Sequence, residues 1–217
     1  ILFRPASNMQ VITSAAGLLY LGPDYEFKTD LFYDGYVSND TLYGNIYMVG
    51  GCDPDFTNTD LYVFVDAIKS LNVSVIYGNL FGDVSFKDSL YWGKGWMWDD
   101  DPSSDAPYLS ALNINDNCVE VIYDSKEKLI TTNPKSKYID TRRIETDEKL
   151  FIDRNWLERK NEINIIGKDD NKTYSAKVNV LKPEQFFLKV FSEVLDSNQV
   201  KILGNLETKH VNGTEIY

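Results

Sequence analysis

The chain has 217 residues, 43% hydrophobic and 25% charged, with a net charge of −11 and a pI near 4.6. This is ordinary globular composition, with length for one large or two modest domains, and it excludes the basic stripe that a nucleic-acid partner or an anionic membrane surface would need. No run approaches the roughly 18 apolar residues of a membrane span, and two cysteines with one histidine are too few for a protein-built zinc site, so neither metal nor cofactor is expected.

The first element is a helix opening around Phe3-Arg4-Pro5-Ala6-Ser7-Asn8-Met9-Gln10. A small hydroxyl residue sits at its start, an apolar run follows (Val11, Ile12, Ala15, Ala16, Leu18, Leu19), and Gly22-Pro23 stops it. Residues three apart share a helix face, so Ser7 and Gln10 face the same way at a helix start that reads as buried. Glu26 to Val37 and Thr41 to Val49 then read as a hairpin about the turn Ser38-Asn39-Asp40. A loop follows at Gly50-Gly51-Cys52-Asp53-Pro54. Asp60 to Leu71 has helical spacing, and Val73 to Phe81 is a strand. Phe86 to Pro107 is a long aromatic loop in which Tyr91, Trp92, Trp96 and Trp98 precede Asp99-Asp100-Asp101.

From Ala111 to Val180 the signals are β-like: Ala111–Tyr123, Leu129–Thr132, Tyr138–Ile144, Leu150–Asn155, Ile163–Gly167 and Ser175–Leu181, with polar turns between them. A second helix, Glu184 to Leu195, and a strand, Val200 to Leu206, complete the pass. This last unit repeats the earlier helix and strand. At an offset of 126 positions, Asn72, Ile76, Gly78, Asn79 and Leu80 align with Asn198, Ile202, Gly204, Asn205 and Leu206. Two such units need one sheet to bury their apolar faces. The expected organisation is α+β: a segment carrying the Ser7-x-x-Gln10 helix over 1–37, a discontinuous α/β domain over 38–108 and 183–217, and a β-rich domain over 109–182 nested within it.

The wording around Ser7 is more specific than the helix. Arg4-Pro5-Ala6-Ser7-Asn8-Met9, with Thr13, Ala15, Ala16, Leu18 and Leu21-Gly22-Pro23-Asp24-Tyr25, resembles the low-molecular-mass class C penicillin-binding proteins, which are D-alanyl-D-alanine carboxypeptidases and endopeptidases. Further matches come in order: Leu42-Tyr43-Gly44-Asn45-Ile46-Tyr47, Gly50-Gly51-Cys52-Asp53-Pro54, Gly78-Asn79-Leu80, Gly95-Trp96-Met97-Trp98-Asp99-Asp100 and Asn115-Asp116-Asn117-Cys118. The resemblance implies that the first helix belongs to a partial transpeptidase-like domain, and that two further domains are nested after the nucleophile. It implies a bacterial protein that is periplasmic or otherwise exported, its leader removed or left out of this chain, with peptidoglycan stem peptides ending in D-Ala-D-Ala as substrate and β-lactams as ligands if the enzyme is active.

A serine hydroxyl needs a nearby base. In the family that base is the lysine of Ser-x-x-Lys, and this chain has Gln10 in its place. Glutamine hydrogen bonds but takes no proton, and general-base catalysis is typically worth about 10²–10⁴-fold. The family's Ser-x-Asn and Lys-Thr-Gly are expected beyond the nested domains. Here Lys-Thr-Gly is absent, and Ser70-Leu71-Asn72 ends a helix and reads as chance. The chain by itself is therefore expected to be inactive, with its Ser7 helix needing further chain or a partner to cover it. The alternative is a non-catalytic relative that binds peptidoglycan or a partner enzyme.

The resemblance also makes Asp100 the carboxylate beside the pocket for the substrate's side-chain amine. Ser104-Asp105 stands where the family has an aromatic residue before Ala-Pro, which alters the pocket's shape. Asp53 and Asp83 read as loop-fixing residues. Cys52 and Cys118 could pair in an exported protein or stay free in a cytosolic one. A Ser-His-Asp triad would have to use His210, which reads instead as a surface histidine.

Overall fold

The computed structural model describes residues 5–211. Its first helix, α1 (Asn8–Leu21), ends at Gly22, whose φ of 86° suits glycine and whose N–H donates to the Leu18 carbonyl at 3.2 Å. No α1 residue is buried. Leu19 and Tyr20 are 82% and 88% exposed, and Val11, Ile12 and Leu18 are also open. The helix start expected to be buried is exposed among the described residues, because no described segment lies across that face.

The hairpin predicted from residue 26 to 49 is present but creased. Its strands are β1 (Thr29–Tyr33), β2 (Tyr36–Ser38), β3 (Thr41–Tyr43) and β4 (Ile46–Gly50). β2 pairs with β3 and β1 with β4, both antiparallel, in two different sheets. The next strand is creased in the same way into β5 (Val75–Ile76) and β6 (Leu80–Asp83). Two four-stranded sheets result, joined along the crease.

One step recurs at the crease: Gly44-Asn45, Gly78-Asn79 and Gly204-Asn205. The Asn79 N–H donates to the Asn45 side-chain oxygen at 2.9 Å, and the Asn205 N–H to the Asn79 side-chain oxygen at 2.8 Å. Asp34 starts the series, accepting the Asn45 backbone N–H at 2.5 Å, the Asn45 amide at 3.0 Å and the Tyr47 hydroxyl at 2.6 Å. The glycines are obligatory. A Cβ on Gly78 would lie 1.9 Å from the Gly44 carbonyl oxygen, and one on Gly204 would lie 2.2 Å from that of Gly78.

Between β4 and β5 runs α2 (Leu61–Ser70), burying Leu61, Val65 and Ile68 at helical spacing. The second copy is α3 (Pro183–Ser197), which buries Phe187, Leu188, Phe191 and Leu195. The rings of Phe64 in α2 and Phe191 in α3 lie 6.2 Å apart, joining the two helices, and Phe56, in the loop before α2, lies 5.5 Å from Phe187.

Six strands separate the two α/β units: β7 (Cys118–Asp124), β8 (Leu129–Asn133), β9 (Asp140–Lys149), β10 (Phe151–Arg154), β11 (Glu162–Lys168) and β12 (Thr173–Asn179). They form two three-stranded sheets, ordered β12-β7-β8 and β10-β11-β9, with β11 parallel to β9. The chain then returns through β13 (Lys201–Ile202) and β14 (Leu206–Thr208). These pair in parallel with β5 and β6, Lys201 opposite Val75 and Leu206 opposite Leu80, which is the register of the sequence repeat.

The fold is the mixed α+β arrangement expected, with the β-rich stretch nested between the two α/β units. Its inner residues Val119, Val121, Ile163 and Val178 belong to the same apolar core as Ile76, Leu80, Phe186 and Phe191. β1 and the first part of β2 lie before residue 38, within the stretch from Glu26 to Val37 that reads as a strand.

Burial pushes the Asp34 carboxyl upward, but the Asn45 N–H, the Tyr47 hydroxyl, the Asn45 amide and the charge of Lys209 outweigh it and hold it below the usual carboxylate range. Its contribution to stability is therefore present above the unfolded pKa and lost as pH falls through the folded one. Asp34→Ala should cost about 1–3 kcal/mol near neutral pH, and the gap from the native protein should narrow below about pH 4. Thermal melts across that range measure both; a gap independent of pH would contradict the assignment.

Candidate active site

Ser7 occupies the N-cap of α1 with φ −60° and ψ −13°, and its side chain makes no capping hydrogen bond. Gln10 is one turn on, its backbone N–H donating to the Ser7 carbonyl at 3.0 Å. Both are exposed. The pair thus lies at the start of one helix, in the spacing read from the sequence. Ser70-Leu71-Asn72 falls at the end of α2, where the Ser70 hydroxyl donates to the Ala67 carbonyl at 2.6 Å. It does local capping work.

Asp100 lies elsewhere, in a 3₁₀ turn over Trp98–Asp100 within the aromatic loop. One of its carboxylate oxygens accepts the Met97 N–H at 2.7 Å. Trp96, Asp100, Ser103, Asp105 and Ala106 line a recess of about 230 Å³. Asp105 therefore brings a second carboxylate to the place where the expected aromatic residue is missing. Two carboxylates in a recess with an indole wall suit an ammonium group. None of the lining residues comes from α1, so Ser7 and Gln10 take no part in this recess.

The loop is held by residues that sequence reading missed. Asp101 and Arg154 are 5% and 1% exposed and form a buried ion pair. The Arg154 guanidinium also donates to the Asn179 side-chain oxygen at 3.0 Å and to the Lys160 carbonyl at 3.1 Å. Tyr108 donates its hydroxyl to Asp101 at 3.2 Å, and the Asn179 amide donates to the Ala106 carbonyl at 2.9 Å. Near the neck of the loop, the Tyr91 hydroxyl donates to Glu184 in the first turn of α3 at 2.9 Å, and burial with that carboxylate pushes the Tyr91 phenol up to about 12. An arginine inside an alternating strand pattern, Phe151-Ile152-Asp153-Arg154, was the one available signal.

The remaining candidates are structural. Asp53 accepts the Asp55 N–H at 3.1 Å. Asp83 accepts the N–H groups of Ser85 at 2.8 Å and Val211 at 2.7 Å. His210 is exposed, with Nδ1 3.5 Å from Asp83. The aspartate stands between serine and histidine there, whereas a triad needs the histidine in the middle. Cys52 and Cys118 are free, and burial pushes the Cys118 thiol up to about 12.

This fold is similar to that of a solved penicillin-binding protein. The structure superimposes on penicillin binding protein 4 (dacB) from Haemophilus influenzae with a TM-score of 0.81 at 23% identity, covering 99% of this chain and 50% of that one. The same protein complexed with a novel β-lactam gives a TM-score of 0.70 at 19% identity, covering 98% and 47%. The chain belongs to the D-Ala-D-Ala carboxypeptidase 3 (S13) family, which matches residues 1–215. It is 32% identical over 122 residues to the D-alanyl-D-alanine carboxypeptidase DacB of Haemophilus influenzae, covering 56% of this chain and 26% of that relative. It is 30% identical over 110 residues to the D-alanyl-D-alanine carboxypeptidase of Actinomadura sp. strain R39, covering 51% and 20%. The chain thus spans about half the length of the solved relatives it matches. Among the described residues no helix is long and apolar enough to cross a membrane.

Arg154→Ala would leave Asp101 buried without its cation, and should cost about 3–5 kcal/mol. The double replacement Asp101→Leu, Arg154→Met removes both charges and should cost less than the single one. Urea unfolding of the three proteins gives the comparison. A double variant less stable than Arg154→Ala would refute this account of the pair.

Proposed function

We propose that this chain is the serine-bearing and substrate-recognising part of a D-alanyl-D-alanine carboxypeptidase or endopeptidase. It would act on peptidoglycan stem peptides ending in D-Ala-D-Ala, in an exported, periplasmic setting. Ser7 is the acyl-accepting nucleophile in this reading, and Asp100, with Asp105 beside it, holds the free side-chain amine of the stem peptide. The proposed division is a catalytic segment over 1–37, an α/β domain over 38–108 and 183–217, and a nested β-rich domain over 109–182. The observation that carries the reading is Ser7 at the N-cap of α1, in a helix whose apolar face is uncovered. Such a face calls for further chain or a partner.

Chemically, Ser7 would attack the carbonyl of the penultimate D-alanine, passing its proton to a base and expelling the terminal D-alanine as the new acyl–oxygen bond forms. Gln10 takes no proton, and the 217 residues contain no Lys-Thr-Gly. The chain alone is therefore inactive in this reading. The glutamine specifically favours a second possibility, a non-catalytic relative that binds stem peptides or a partner enzyme without cleaving them.

Residues 1–217 should neither label with fluorescent penicillin nor release D-alanine from a stem peptide. In a longer chain carrying the family's downstream motifs, Gln10→Lys should confer both activities. Its lysine must act deprotonated, below its free pKa of about 10.4, so the rate should rise with pH. Ser7→Ala should abolish activity, and Asp100→Asn should weaken hydrolysis of peptides with a free side-chain amine more than of acetylated ones. If the Gln10→Lys protein folds but reacts with neither penicillin nor peptide, the non-catalytic reading replaces the enzymatic one.

A further inference from the structure

The 3₁₀ turn that carries Asp100 also carries Trp98, which is 65% exposed. Its ring meets that of Trp156, from the connection between β10 and β11, at 5.5 Å and a tilt of 33°. The two indoles come from loops far apart in sequence, yet both mounts are rigid. Asp101, three residues after Trp98, is ion-paired in the interior with Arg154, two residues before Trp156. The Trp156 turn is closed by the Arg159 N–H to the Trp156 carbonyl at 3.0 Å and the Lys160 N–H to the Asn155 carbonyl at 3.1 Å. The buried ion pair thus ties together the two loops that present an exposed Trp98 and a half-buried Trp156.

We propose that Trp98 and Trp156 form a carbohydrate-stacking platform that receives one pyranose ring of a glycan beside the Asp100 recess. The apolar C–H face of a pyranose is polarised positive and complements the negative face of an indole. Its equatorial hydroxyls need donors and acceptors at the edge of the ring. Asn155, Glu158 and Lys160 supply these from the Trp156 turn, with the Asn155 amide 3.3 Å from Glu158 and the Lys160 ammonium 2.5 Å from it.

Other occupants fit less well. Asp99 and Asp100 beside Trp98, and a net charge of −11, oppose a nucleotide phosphate or an anionic lipid. Two indoles offer about 150–250 Å² each, well short of the roughly 800 Å² per partner of a stable protein interface. The platform deepens the reading above, since peptidoglycan presents its stem peptides on a glycan. It would hold the sugar while the recess holds the amine.

The test is calorimetric titration of the 217-residue protein with a β-1,4-linked N-acetylglucosamine tetramer. Saturable binding in the millimolar range is expected. Trp98→Ala should weaken it about fivefold or more, while Trp98→Tyr, which keeps a ring, should retain most of it. The proposal is overturned if the tetramer does not bind, if Trp98→Ala and Trp156→Ala bind it as the native protein does, or if sedimentation shows Trp98→Ala abolishing self-association while no sugar binds. Binding of an amine-bearing stem peptide to native and Asp100→Asn proteins is measured separately. Loss of sugar binding with an intact, Asp100-dependent peptide response rejects the platform alone. The converse rejects the amine site and leaves the platform standing.

Discussion

A short series of side-chain acceptors, Asp34, Asn45 and Asn79, fixes the geometry of the α/β body. Each binds the backbone N–H of the next asparagine across the crease, and the series ends at Asn205. The glycine before each asparagine lets the strands approach more closely than any Cβ permits. Register slips move side chains to the wrong face, so a chain of side-chain bonds crossing four strands at one level leaves little freedom. The first member differs for a reason. A carboxylate accepts several hydrogen bonds and donates none, so Asp34 serves as the closed end of the series. α2 and α3 are set against the sheet by this register, and Tyr91 reaches Glu184 only because α3 begins where it does.

A second constraint works at the other end of the aromatic loop. Asp101 and Arg154 lie 53 residues apart, one in the loop and one in the nested β-rich stretch, and both are buried. Burying two charges costs much of what their attraction returns, so the pair is weak support for stability as such. Its distinct effect is positional. Arg154 uses its remaining donors on Asn179 and Lys160, and Asn179 in turn holds Ala106. The segment from Asp100 to Tyr108 is thereby attached to β10 and β12. The recess around Asp100 is thus formed by one segment and supported by another.

The Ser7–Gln10 spacing, the two helix–strand units and their offset were legible because they rest on local periodicity and direct repetition. The crease was not. Val73–Phe81 and Val200–Leu206 read as unbroken strands, since alternation counts apolar residues and is blind to an asparagine side chain replacing a ladder acceptor. The third copy of the step, Gly44-Asn45-Ile46, lies in an antiparallel hairpin with no helix before it, so a repeat defined by helix and strand passes over it. Asn115–Asn117, read as strand, instead takes three positive φ angles in a row, a backbone that asparagine and aspartate tolerate but a strand does not contain. Arg154 was hidden because its partner is distant in sequence, and nothing local to a strand residue says which remote acid it meets.

The two parts of the candidate site are stabilised differently, and this bears on how they would work together. Asp100 is pre-organised: its carboxylate is tied to the Met97 N–H, and the next residue is locked into the interior. Ser7 is not. α1 has 14 residues, no side-chain cap and no buried residue. Helices shorter than about 12–15 residues are marginal in water on their own, and most helical stability in a protein comes from packing an apolar face. A surface that covered Val11, Leu18 and Leu19 would therefore also set the position of the Ser7 hydroxyl. In the proposed reading the nucleophile is assembled by the covering surface, while the recognition recess is complete before it arrives. Substrate amine could then be held at Asp100 without any reaction at Ser7, which is the state that glutamine at position 10 would preserve.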